Sequence, residues 1–282
     1  MEMVAAARLR RAEQRIAAMR PYAQAIRKMT RQVSEAAGAM PPIELLEERQ
    51  RVETTGILLV TGDRGLAGSF NTQIVREGLR LKREFGSDGA TVLFSVVGRR
   101  GNSTMTFRGE DVRHSYVGFT DRPSYTNARE ISAELISAYV DKELDQVDIV
   151  YNRYVSPLTQ YVRRQTLLPV QHAEVFGEGL PQEEEQSDEE LAEAHARALW
   201  LYEPEAAELL PRLFEEYVDL SVYRALLESA ASEHGARMTA MRNAAENAQE
   251  MIGDLTLEMN RVRQAEITQE ILEVVAGADA LG

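Results

Sequence analysis

Leu213, Tyr217, Leu220, Arg224, Leu227, Ala231, His234, Met238, Met241, Ala245, Ala248, Ile252, Leu255, Met259 and Val262 are spaced alternately four and three residues apart. Only Arg224 and His234 break a seam that is otherwise apolar or small. A mean step of three and a half residues is the coiled-coil period, here sustained for seven heptads. No proline follows Pro211, so the spacing predicts one helix from Leu213 to Ala276. Such a helix is about 95 Å long, several times what a compact domain accommodates. It must protrude, and its seam needs a partner.

The first forty residues carry a matching seam: Leu9, Ala12, Ile16, Met19, Ala23, Ile26, Thr30, Val33, Ala37 and Met40. Eight basic residues stand against three acidic ones between Met1 and Ala39. Pro21 removes a helical hydrogen bond and predicts a kink or local strain. Gly38, Pro41 and Pro42 end the helix. Two heptad segments at opposite chain ends point to an intramolecular antiparallel coiled coil. The second is much longer than the first, and pairing begins where the middle of the chain joins them. The overhang therefore falls at the C-terminus, from roughly Gln249 onward.

The middle reads as α/β. Gly56–Thr61 is a buried strand, followed by a turn with Gly62, Gly65 and Gly68 and by a helix over Asn71–Phe85. A second strand spans Ala90–Val97, and an irregular stretch follows Gly98. Asn127–Leu144 reads as a helix, then Val147–Tyr154 and Tyr161–Leu168 as strands, the last stopped by Pro169. Alternating strands and helices predict a mostly parallel sheet with helices on its faces. Glu178, Glu183, Glu184, Glu185, Asp188, Glu189, Glu190 and Glu193 form an acidic run without the Asp/Asn alternation or central glycine of a calcium loop.

The formal net charge of −13 argues against nucleic acid as the main partner. There is no cysteine, hence no disulfide and no thiolate metal site. No apolar run approaches the ~20 residues needed to span a bilayer. The four histidines (His114, His172, His195, His234) lack metal-ligand spacing. The glycine turn lies after a strand and before a helix, where phosphate loops occur, but G-x-x-G-x-x-G is neither dinucleotide fingerprint nor P-loop. Asp88 precedes the second strand instead of capping it, so no ribose-binding acid is in place. A tight βα turn is the favoured reading. A nucleotide-binding α/β enzyme and an unrelated coiled-coil scaffold stand as alternatives.

Three stretches then resemble one family. Met1-Glu2-Met3-Val4-Ala5-Ala6-Ala7-Arg8-Leu9-Arg10-Arg11-Ala12 is similar to the N-terminal helix motif of the gamma subunit of F-type ATP synthases. Thr61 to Asn71 resembles its S-D-R-G-L-C-G-x-[FY]-N turn, with Ala67 where cysteine or a small residue is usual. Ser232 to Ala244 and Asn260 to Glu270 resemble its long C-terminal helix, and Ile267-Thr268-x-Glu270-x-x-Glu273-x-x-x-Gly277-Ala278 its closing signature. The family carries further residues ahead of the motif that opens this chain, and the acidic run aligns with nothing definite.

The resemblance implies an α/β fold in which a long antiparallel coiled coil of the terminal helices carries an inserted Rossmann-like domain. Its expected segments are an N-terminal helix over 1–51, a foot domain over 52–200 and the C-terminal helix over 201–282. It implies a central-stalk rotor with no cofactor, no metal and no bond chemistry of its own. Rotation of a membrane-embedded c-ring, driven by proton flow, would turn this shaft inside a ring of alpha and beta subunits, whose beta members hold the catalytic sites. Met1, Arg8, Arg242, Arg263, Gln264, Thr268, Gln269 and Glu273 are the expected contacts with alpha and beta. Tyr202, Glu203 and Pro204 are expected at the foot, near the epsilon subunit and the c-ring. The protein is expected to lie peripherally on the cytoplasmic face of the cell membrane, held there through the c-ring alone.

Overall fold

The computed structural model describes residues 1–37, 42–171 and 205–279. Helix α1 spans Glu2–Ala37, and a 3-10 turn covers Glu44–Leu46. Strand β1 (Thr54–Val60) leads to α2 (Phe70–Ser87), β2 (Thr91–Val97), α3 (Arg99–Phe107) and β3 (Val112–Tyr116). Then come α4 (Tyr125–Val140), β4 (Gln146–Tyr154), β5 (Gln160–Leu168) and α5, which runs unbroken over Ala206–Asp279. Its 74 residues correspond to roughly 110 Å of helix.

The strands form one sheet in the order β3-β2-β1-β4-β5. β1, β2, β3 and β4 are parallel, and β5 returns antiparallel beside β4. Side chains alternate across β1, as they must in a pleated strand. Ile57 and Leu59 face α2 together with Ile74, Val75, Leu81 and Phe94. Leu58 and Val60 face α4 and α5 together with Ile131, Tyr139, Phe214, Val218 and Val222. The sheet is thus covered on both sides, as parallel strands require.

The stretch after Gly98, expected to be irregular, holds α3 and β3. Little in its sequence announces either. Only Gly101 and Met105 of α3 are buried, and β3 is a short edge strand with alternating exposure. The helix expected over Asn127–Leu144 starts earlier, at Tyr125, because Ser124 and Asn127 form a reciprocal capping box. It ends at Val140, and Lys142 takes a positive φ of 60° just beyond.

Pro21 does not end α1. Residues 17 and 21 are both exposed, so the carbonyl deprived of its helical donor faces water. The α1 seam packs on α5 as the heptads require: Leu9, Ala12, Met19, Ile26, Thr30 and Val33 are buried. Helix α5, however, is packed on more than its seam between Leu213 and Gly235. Phe214, Val218, Val222, Ala225 and Leu226 turn a second face toward the sheet. Ser229 donates to the Val60 carbonyl at 3.3 Å and Ser232 to that of Asn152 at 3.0 Å. The lower third of the shaft is therefore part of the α/β core.

Phe214 is fully buried and Leu255 is 58% exposed. Phe214→Ala should lower the unfolding free energy by about 3–5 kcal/mol in denaturant titration, whereas Leu255→Ala should stay within about 0.5 kcal/mol. Equal losses at the two positions would contradict this division of α5.

Candidate functional site: a docked turn and an uncovered overhang

The C-terminal ends of β1, β2 and β3 meet at one level of α5. Asp63, just beyond β1, ties their loops together. Its carboxylate accepts from the backbone N–H of Arg99 (3.0 Å), Gly118 (2.8 Å) and Thr120 (3.2 Å), and from the Thr120 hydroxyl (3.1 Å). The Gly62 N–H donates to the Asn71 side chain at 2.8 Å, closing the glycine turn on the start of α2. Gly98 holds φ 95°, and a Cβ there would lie 2.4 Å from the Thr61 carbonyl oxygen, so only glycine fits.

Helix α5 passes directly over this turn. A Cβ on Gly62 would meet the Glu233 carboxyl carbon at 2.7 Å. Glu233 is 1% exposed and is paired with Arg237 one helical turn on. Arg237 also donates to the Gly65 carbonyl, from Nη2 at 3.3 Å and Nε at 3.4 Å, and its Nη1 lies 3.3 Å from His234 Nδ1. Burial pushes the Glu233 carboxyl above its ordinary range, while the Arg237 charge pulls it back. Burial and the Arg237 charge together lower His234 to about 4, against weaker support from Asp121. At neutral pH the imidazole is uncharged, so Nδ1 can accept from Arg237.

Helix α1 joins the same level. Arg8 Nη1 lies 2.7 Å from Asp121 Oδ2 in the loop after β3, and the Tyr154 hydroxyl donates to Glu13 at 2.5 Å. Both shaft helices are thus tied to the α/β domain through charged and polar contacts at one height. The crevice between the diverging β1–β2 and β4 connections is where open parallel sheets take ligands. Here Glu233 fills it, and a buried carboxylate repels phosphate. The nucleotide reading of the glycine turn finds no room.

Above this collar the shaft emerges. Glu2 pairs with Arg242 at 2.9 Å, the last described tie between α1 and α5. From Arg242 to Gly277 every residue but Asn260 is exposed. The overhang thus begins some residues before Gln249, because α1 reaches only to Glu2, which pairs with Arg242. Met251, Ile252, Leu255, Leu257, Met259, Val262, Ile267, Ile271, Leu272, Val274 and Val275 are exposed along it. At about 100° per residue these positions fall all round the helix, a pattern that belongs to a helix enclosed on every side.

Of the expected ring contacts, Arg263, Gln264, Thr268, Gln269 and Glu273 lie on this overhang. Thr268 donates back to the Gln264 carbonyl at 2.8 Å, and Gln269 to Glu273 at 3.0 Å. Met1 is 81% exposed at the level where the overhang begins. Arg8 and Arg242 are engaged within the chain, with Asp121 and Glu2. Tyr202, Glu203 and Pro204, like the acidic run, lie outside the described residues. The expectations missed Asp63, Asp121, Glu233 and Arg237. A charged i, i+4 pair set among Ala231, Ser232, Gly235 and Ala236 was the available signal, since small neighbours permit close approach and a buried charge demands a partner.

Arg237→Ala leaves Glu233 buried without its counter-ion and should cost about 3–5 kcal/mol, whereas Arg242→Ala breaks an exposed pair and should cost less than about 1 kcal/mol. Denaturant titration of both variants decides it, and equal costs would refute the burial argument. His234 binds fewer protons folded than unfolded, so stability should fall as pH drops from about 6.5 towards 4, by up to about 3 kcal/mol from this group. His234→Gln should remove that part of the slope. An unchanged slope in the variant would assign it elsewhere.

Comparison with known proteins accords with this geometry. A profile of the family described as ATP synthase matches residues 1–281. The chain is 40% identical over 281 residues to the ATP synthase gamma chain of Rubrobacter xylanophilus, covering 100% of this chain and 91% of that one. It is 38% identical over 283 residues to the sodium ion specific ATP synthase gamma chain of Acetobacterium woodii, covering 100% and 92%. Among solved structures, the central stalk and c-ring of the Tetrahymena thermophila mitochondrial ATP synthase contains a similar chain, with TM-score 0.63, 28% identity and coverage of 87% of this chain and 97% of that one. A chain of the Euglena gracilis mitochondrial ATP synthase shares the fold, with TM-score 0.59, 19% identity and coverage of 97% and 94%. This chain belongs to the ATP synthase family, among its gamma chains.

Proposed function

We propose that this protein is the central-stalk rotor of an F-type ATP synthase and makes no bond itself. The observation that carries the reading is the overhang of α5. It carries exposed apolar side chains on every side among its charged ones, has no partner among the described residues, and continues without a break into a segment embedded in the α/β core. Such a helix needs a sleeve, and a ring of alternating alpha and beta subunits supplies one. The expected contacts Arg263, Gln264, Thr268, Gln269 and Glu273 lie around the helix instead of on one face. Successive subunits of a ring can therefore meet different groups as the shaft turns. Arginine and glutamine offer several donors to loop carbonyls and carboxylates in passing. Met1, Arg8 and Arg242 stand where the shaft enters such a ring, the arginines exchanging or sharing their present partners.

Torque must cross from the α/β domain to the shaft at the collar. There Glu233, Arg237, Arg8 and Asp121 hold turn and helices in one register, and embedding of the lower shaft in the sheet prevents slippage. By the resemblance, Tyr202, Glu203 and Pro204, which lie outside the described residues, would meet the epsilon subunit and the c-ring. No described helix is long and apolar enough to cross a membrane, so attachment at the cytoplasmic face of the cell membrane would run through the c-ring. Proton flow through that ring is the expected drive, although the Acetobacterium relative is named sodium ion specific.

Reconstitution with alpha and beta subunits tests the reading, since failure to yield a complex with ATPase activity would overturn it. Arg263→Ala and Gln269→Leu should each lower coupled ATP synthesis severalfold while leaving the unfolding midpoint unchanged, because both sites are exposed in the chain alone. Midpoints that drop in step with activity would show a structural role instead.

A further inference from the structure

We propose that the hollow between α2 and α3, on the face of the α/β domain away from α4 and the shaft seam, binds a polyphosphate chain, either free or borne by a nucleotide. The hollow measures about 640 Å³, within the range of roughly 300–1,000 Å³ typical of small-molecule sites. Val75 and Leu79 form an apolar part of its wall, and Arg76, Arg83 and Arg108 border it. None of these three arginines has a carboxylate partner among the described residues.

The absence of partners has a local cause. The acids that α2 carries are engaged elsewhere: Glu77 and Glu84 both pair with Arg80, and Glu84 also with Arg164. The single acid on the hollow, Glu110, pairs with Lys82. The arginine charges are therefore left uncompensated around one concavity, in a chain whose formal net charge is −13. Arg83 reaches only the Leu79 carbonyl, through Nε at 3.4 Å.

Spacing selects the ligand. Arg76 and Arg83 are seven residues apart on α2, two helical turns or about 10 Å along the axis. One phosphate cannot span both, whereas a chain of two or three phosphates brings successive anionic oxygens to successive guanidinium forks. The apolar wall at Val75 and Leu79 leaves a place for an organic group beside that chain. This hollow adjoins the glycine turn at Asn71 but does not include the crevice that Glu233 fills, and the inference stands independently of the rotor reading.

Isothermal titration of the full chain with tripolyphosphate, and separately with magnesium-free ATP, tests it. A single saturable site for both is expected, weakening as salt is raised. Tighter binding of ATP would assign part of the recognition to the apolar wall, and equal binding would assign it to the phosphates alone. Arg76→Ala/Arg83→Ala/Arg108→Ala should weaken both by at least about tenfold without moving the unfolding midpoint, as the three side chains are exposed. A charge-matched control, Arg10→Ala/Arg11→Ala/Arg20→Ala, should leave binding unchanged. No saturable binding, undiminished binding in the first variant, or an equal loss in the control would each overturn the proposal.

Discussion

The closure of the glycine turn on Glu233 and Arg237 is the contact on which the rest of this structure depends. A buried carboxylate is tolerable only with a counter-ion and further hydrogen bonds, and Arg237 supplies the first while linking it to the Gly65 carbonyl. The residues that make the turn look like a phosphate cradle are there because a helix carrying an acid must come within contact distance of backbone. Glycine at position 62 is a consequence of that approach: any Cβ would collide with the carboxylate. A ligand-binding geometry has been turned into a mount for a long helix.

From that mount, α5 changes its surroundings three times. Below it the helix lies between α1 and the sheet, and nearly every side chain between Leu213 and Gly235 is buried or half-buried. At the level of Ala236 to Met241 burial becomes partial. Beyond Arg242 no described residue covers it. A stiff lever needs this order: an embedded root, a braced middle and a free end. Hydrogen bonding along a single helix gives limited resistance to twisting. Side chains locked into a close-packed core resist displacement far more strongly, because every shift opens voids and breaks dispersion contacts.

Electrostatics sharpen the same division. The ion pairs that tie the parts together are buried or half-buried at the collar, Glu233–Arg237 and Arg8–Asp121. Those higher up, such as Glu2–Arg242, are exposed and weak. Breaking the upper pair is cheap, which suits a position where another molecule's carboxylates would compete for the arginine. The Glu233–Arg237 pair is shielded from such exchange by the packing around it, and the half-exposed Arg8–Asp121 pair only in part.

The length of α5, its coiled-coil seam, its pairing with α1 and the α/β character of the middle are all legible in the sequence, because each rests on local periodicity. Leu213 to Val262 repeats every three and a half residues whatever surrounds it. Three things were not legible. Helix α3 and strand β3 bury too few side chains to leave a periodic trace, so their existence depends on the neighbours that cover Met105 and pair with β2. The upper part of the second face of α5, carried by Ala225, Ser229 and Ser232 beyond the apolar Phe214, Val218 and Val222, reads as neutral in sequence. A small side chain has no preference for a core until a sheet carbonyl or a glycine turn is brought against it. Asp63, Asp121 and the Glu233–Arg237 pair lie far apart along the chain, and what charges at that separation do is decided by which of them folding places within reach of one another.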